Sequence, residues 1–151
     1  MKIIIYISLV LISLSTNSCV NQKKKDEEQI KNTVREYWKA VKNNDLPAYN
    51  NLIDNAENYP GVTASELNFL HKNYRIINPN EKLLNNIKIK DTTIMFAENK
   101  QKYVQYIIVK KNDPDNVKKD LIITLMFYKP IGFNKIYSPV ILENHIGWDK
   151  E

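Results

Sequence analysis

Cysteine occurs once in this chain, at Cys19, and glycine three times in 151 residues. One thiol excludes an internal disulfide and a cysteine-rich zinc site, so the folded domain stands on its apolar core alone. Three glycines exclude a glycine-rich phosphate cradle, whose backbone must approach the anion closely. No serine or cysteine nucleophile motif occurs either. Arginine is equally scarce: Arg35 and Arg75 are the only two, and nearly all the positive charge is lysine. The formal charge of +5 would by itself suit nucleic acid or anionic lipid. Nucleic-acid readers favour arginine, whose planar fork grips phosphates and guanine edges. The excess of lysine, with abundant asparagine and isoleucine, is read instead as codon bias, and no nucleic-acid partner is expected.

What is present begins with an apolar run. Ile3 to Leu14 follows Lys2 and gives way to Ser15, Thr16, Asn17 and Ser18, and then to Cys19. About a dozen residues is the length of a signal-peptide core and short of the roughly 20 that span a bilayer. The sole cysteine at this place resembles a bacterial lipoprotein signal, of the looser kind found in Bacteroidetes lipoproteins. The resemblance implies that the thiol of Cys19 takes a diacylglyceryl group. It also implies that residues 1–18 are removed as signal peptide, and that the new amino terminus is acylated with a fatty acid such as palmitate. Two or more chains make a stable anchor, at about 0.8 kcal/mol per buried methylene. Residues 19–25 then form a lipidated tether and residues 26–151 a single domain, a length that suits one core. The expected place is the cell envelope, anchored to the outer membrane on its periplasmic or surface face. The competing readings are a secretory signal with a free thiol, and an uncleaved anchor.

Along the mature chain, Asp26 and Gln29 have the spacing of a helix-capping box. Glu27 and Glu28 then suit the positive end of the helix dipole. Ile30, Val34, Trp38 and Val41, with Tyr37 beside them, recur at helical spacing and predict one buried stripe. "KNND" ends that helix. Asp45 caps a second, shorter one with Pro47 in its first turn and Tyr49, Leu52 and Ile53 inward. Pro60-Gly61 reads as a turn. Thr63 and Glu66 read as a second capping box, opening a third helix that runs to about Ile76. Leu67, Leu70, His71 and Tyr74 share one face of it.

The period then changes from helical to two. Ile87 and Ile89 alternate with lysines, while Ile94 and Phe96 fall on the opposite parity, which predicts a bulge, bend or tight turn at Asp91-Thr92. "KYVQYIIVK" and "DLIITLMFY" are strands joined by the loop "KNDPDN". The second is oily on both faces, so it is central and covered twice, or its outer face meets a partner. A last strand within Ile136 to Ile146 carries Pro139 and suits an edge. The fold class is α+β: three N-terminal helices packed on a curved antiparallel sheet of about four strands.

The segment "VREYWKAVKNNDLPAYNNLID", with Asn44-Asp45, Tyr49 and Leu52, resembles the opening of the nuclear transport factor 2-like fold. That is the cone shared with ketosteroid isomerases and polyketide cyclases. The resemblance implies a pocket at the mouth of the cone, for which Trp38, Tyr49, His71, Tyr74 and Tyr106 are the candidate lining; Tyr37 is a further polar candidate. Read as residues alone, His71 is a helix-face histidine bonded to a carbonyl or water, and the tyrosines are amphipathic core-rim residues. No aspartate stands where a buried base is needed, so no catalytic residue is assigned. His145, Asp149 and Glu143 lack the ligand number and spacing of a metal site, and no metal or cofactor is expected. Three functions remain. The first is a non-catalytic envelope lipoprotein that binds a protein partner, or a second copy, through the sheet face. The second is a small-ligand or isomerase/cyclase-like cone pocket. The third is an immunity lipoprotein against an envelope toxin.

Overall fold

Helix α1 runs without a break from Lys2 to Asn43 in the computed structural model, which describes residues 2–92, 101–109 and 121–143. Asp26 therefore lies inside a helix and does not cap one. The stretch before it holds no proline or glycine, and its Gln22 and Lys23 to Lys25 are good helix formers, so nothing ends the helix there. The Asp26 carboxylate accepts a hydrogen bond from Gln22 Nε2 at 2.7 Å, one turn earlier. It also pairs with Lys129 at 3.8 Å. Asn21 to Lys25 are exposed. Burial starts in earnest at Ile30, and the stripe Ile30, Val34, Tyr37, Trp38 and Val41 is fully buried, as its spacing predicts.

Asn44 ends α1 in the left-handed region at φ 52°. Asp45 then caps helix α2 (Leu46–Leu52), its Oδ1 accepting from the Ala48 N–H at 3.0 Å. After α2 the chain touches the sheet once: Ile53 makes an isolated parallel bridge with Ile136. The Ile136 N–H donates to Leu52 O at 2.7 Å, and the Asp54 N–H donates to Ile136 O at 2.9 Å. A single 3-10 turn, Ala56–Asn58, leads to helix α3 (Pro60–Ile77).

Pro60 starts α3 and makes no separate turn. Its fixed φ suits the first helical position, where a missing N–H costs nothing. Thr63 thus falls inside the first turn of the helix, its hydroxyl donating to Pro60 O at 3.2 Å, and the predicted Thr63–Glu66 capping box does not form. Leu67, Leu70 and Ile77 are buried. Asn78, at φ 45°, ends the helix. A fourth helix absent from the sequence reading, α4 (Glu81–Asn85), is capped by Asn80, whose Oδ1 accepts from the Leu83 N–H at 3.1 Å.

Strands β1 (Lys90–Thr92), β2 (Gln101–Val109), β3 (Leu121–Phe127) and β4 (Ser138–Glu143) form one antiparallel sheet in that order. Asp91 and Thr92 are not a bend: they pair in register with Lys102 and Gln101. The Lys102 ammonium reaches Asp91 at 2.7 Å, a cross-strand pair that holds the short strand in line. The register shift falls in β2, between Ile107 and Val109. Pro139 sits on the edge strand β4, where its missing N–H is tolerated. Ile94, Phe96 and the loop "KNDPDN" lie outside the described residues.

The architecture is α+β, helices first and antiparallel sheet after. Val104, Tyr106, Ile123, Leu125 and Phe127 face the helices and join the α1 stripe in one core. The opposite parity carries Tyr103, Thr124 and Met126, which are buried as well, and Ile107, which is 47% exposed. Strand β3 is thus covered on both faces. Thr33 ties α1 to the turn before β4, its hydroxyl reaching the Phe133 carbonyl at 2.8 Å and the Gln29 carbonyl at 3.0 Å.

Candidate functional site

The helix stripes bring two hydroxyls together in the core. Tyr37 on α1 and Tyr49 on α2 are both fully buried, with hydroxyl oxygens 3.2 Å apart, close enough for either to donate. Their rings lie 5.2 Å apart. From α3, the carboxyl of Glu66 approaches the Tyr49 hydroxyl, which stabilises its charged form. Burial outweighs that help and pushes Glu66 up to about 7 from its ordinary 4.5. Burial and the neighbouring charge of Glu66 likewise raise Tyr49, and burial with Tyr49 and Glu66 raises Tyr37, so both phenols stay neutral.

Glu66 also lines an open cavity of about 810 Å³ between the α2–α3 connection and the start of β4. The Ile53–Ile136 bridge builds its wall by fastening that connection to the sheet edge. Tyr59, Val62, Tyr137 and Pro139 supply apolar surface. Tyr59 and Val62 are each 63% exposed and Tyr137 is 45% exposed. Asp54, Thr63, Ser65 and Glu66 supply polar groups. No lysine, arginine or histidine is among the described residues that line it. A cavity of this size takes a small organic molecule. A carboxyl titrating near neutrality can hold a cation, donate a hydrogen bond, or exchange a proton.

The five residues predicted for a cone pocket fall elsewhere, and none lines this cavity. Trp38, Tyr49 and Tyr106 are buried together. The Trp38 ring stands edge-on to Tyr37 at 5.2 Å, to Tyr106 at 5.0 Å and to Tyr74 at 6.4 Å. Trp38 Nε1 and the Tyr106 hydroxyl are buried without a hydrogen-bond partner among the described residues. Burial pushes Tyr106 up to about 12, although the Trp38 indole and the Arg35 charge favour its ionised form. Neither Trp38 Nε1 nor the Tyr106 hydroxyl reaches hydrogen-bond geometry with the other. Burial also raises the half-buried Tyr74. His71 places Nδ1 2.9 Å from the Val41 carbonyl oxygen, the carbonyl contact expected of a helix-face histidine. His145 and Asp149 lie outside the described residues. Among the described residues no cluster of three or more His, Cys, Asp or Glu could hold a metal.

Glu66 is the residue that sequence reasoning missed. Its signal was present: it stands three after Thr63 and four before Leu70, on the inward stripe of α3 and not on its solvent face. No protein-family model matches the chain, and no curated protein or solved structure matches it either.

Proposed function

We propose that this chain is a lipid-anchored envelope protein that works by binding. The observation that carries the reading is the placement of Cys19, the only cysteine, where an apolar run ends and a polar tether begins. Exposure of Asn21 to Lys25 supports a spacer. Ile30, the first fully buried position described, lies 11 positions beyond Cys19, which stands the core off by about 16 Å as helix. Among the described residues no helix is long and apolar enough to cross a membrane, and attachment through acyl chains at Cys19 requires none. Labelling cells with a fatty-acid analogue tests it. The wild type takes label and fractionates with membranes, and Cys19→Ala loses both. An unmodified Cys19 in the mature protein overturns the reading.

For the domain itself we read a cone of the nuclear transport factor 2-like kind, its sheet curved around the three principal helices. The order of elements and the placement of Tyr49 and Leu52 on α2 support it. A protein partner or second copy meeting the sheet face has Ile107 to grip, whereas Tyr103 and Met126 on the same face are already buried. The cavity beside Glu66 favours the second reading, a small-ligand-binding module. Its site lies at the α2–α3 connection, away from Trp38.

A further inference from the structure

We infer that the cavity beside Glu66 is a binding site for an organic cation: an apolar or aromatic body carrying one protonated amine. The inference rests on the small-ligand reading of this domain and goes one step further, to charge.

Three features of the cavity converge on that chemistry. The first is its sign. The chain carries 22 lysines and arginines against 17 aspartates and glutamates, yet the described residues lining the cavity include Asp54 and Glu66 and no basic group. An anionic ligand would meet two acidic side chains and, among the described residues, no basic one. The second is the rim. Tyr59 and Tyr137 line the cavity and leave much of their surface to solvent. Aromatic faces attract ammonium groups, by about 0.5–1 kcal/mol at exposed sites and more where water is excluded. Val62 and Pro139 offer an apolar wall for the body of the ligand. The third is depth. Glu66 lines the cavity while half-buried, on the side of the core where the Tyr49 hydroxyl lies. A ligand amine that replaces the lost hydration of this carboxylate forms a charge-assisted hydrogen bond, among the stronger kinds.

The titratable groups around Glu66 among the described residues are Tyr37 of α1, Tyr49 of α2, Asp54 and Tyr59 of the α2–α3 connection and Tyr137 ahead of β4. The phenols of Tyr37 and Tyr49 stay neutral, whereas Glu66 is pushed up to about 7 and changes charge near neutrality. Burial holds part of it protonated there. A cation must draw that proton off, so its affinity rises with pH.

The test uses the full chain in detergent and three probes sharing one body: 2-phenylethylamine, 2-phenylethanol and phenylacetate, titrated by NMR. The amine is expected to bind at least tenfold tighter than the alcohol at pH 8, and phenylacetate weakest. Amine affinity is expected to fall about tenfold from pH 8 to pH 5.5, while alcohol affinity stays level. Glu66→Gln should remove the preference for the amine and its pH dependence and leave the alcohol bound. Equal affinity for amine and alcohol overturns the cation inference and leaves the small-ligand reading standing. Binding of none of the three overturns both. The pH series on the unaltered chain decides the matter even if Glu66→Gln fails to fold.

Discussion

The hydroxyl oxygens of Tyr37 and Tyr49 meet 3.2 Å apart in the fully buried seam between α1 and α2. Each is the polar end of a ring whose apolar body packs the core. Each also needs the other, because a buried hydroxyl left unpaired costs about 1–3 kcal/mol. Removing both hydroxyls by conservative substitution is therefore expected to cost less than the sum of the two single removals. Tyr49→Phe should destabilise by about 1–2 kcal/mol, because it leaves the buried Tyr37 hydroxyl without its partner. Adding Tyr37→Phe should cost little more. A double-mutant cycle in urea reads the coupling, expected at about 1 kcal/mol. Strict additivity would show that the two hydroxyls do not interact.

Glu66 predicts the direction of the pH dependence. The folded chain keeps its proton up to about 7, whereas the ordinary carboxyl releases it near 4.5. Between those values the folded state binds more protons than the unfolded one, so stability falls as pH rises through that window. Glu66 is half-buried beside an open cavity, and solvent screens part of the effect. A loss of about 2 kcal/mol between pH 5 and pH 8 is expected from this group. In Glu66→Gln that part of the slope should vanish, and the variant should be the more stable protein at pH 8. Urea denaturation of both proteins at several pH values measures this, and parallel profiles would refute it.

Tyr106→Phe should be neutral or stabilising by up to about 1 kcal/mol. Its hydroxyl is buried without a hydrogen-bond partner among the described residues, so deleting it removes a desolvated group and little else. Trp38→Ala is the opposite case. The indole is fully buried against Tyr37, Tyr106 and Tyr74, and removing it should cost about 3–5 kcal/mol. Thermal unfolding of the two variants separates the polar contribution at this place from the packing one.

Asn44, Asn55 and Asn78 hold left-handed backbone at φ 52°, 54° and 45°. With three glycines in the chain, asparagine fills the role that glycine commonly has at helix ends. Asn78→Gly should be tolerated or mildly stabilising. Asn78→Val should cost about 1–2 kcal/mol, because a β-branched residue is poorly accommodated there. Circular dichroism melts of the pair check it. Equal stability of the two variants would show that the left-handed conformation carries no cost.

Sequence periodicity located the elements that bury a regular stripe. Ile30, Val34, Tyr37, Trp38 and Val41 were legible because a helix presents every third or fourth residue to one side. The strands around Tyr103 and Ile123 were legible through their alternation and their content of β-branched and aromatic residues. Asp45 was legible as a cap because Pro47 follows it at the right distance. The failures share a cause, which is competition between local signals. Asp26-Gln29 and Thr63-Glu66 both have capping-box spacing. Helix-forming neighbours carry α1 through the first pair, and Pro60 starts α3 one turn ahead of the second.

The sequence alone determined the anchor candidate at Cys19, the α+β order, the helical stripe and the central strand, since each depends on residues near one another in the chain. The tertiary structure alone decided the site. Glu66, Tyr49 and Tyr37 lie on three different helices, and Tyr59 and Tyr137 come from connections 78 residues apart. The three helices pack on one another, and the Ile53–Ile136 bridge ties the α2–α3 connection that carries Tyr59 to the segment that carries Tyr137. Local patterns record which face of an element is apolar. They carry no information about which faces of distant elements meet, and the burial that raises the Glu66 pKa exists only once those faces have packed.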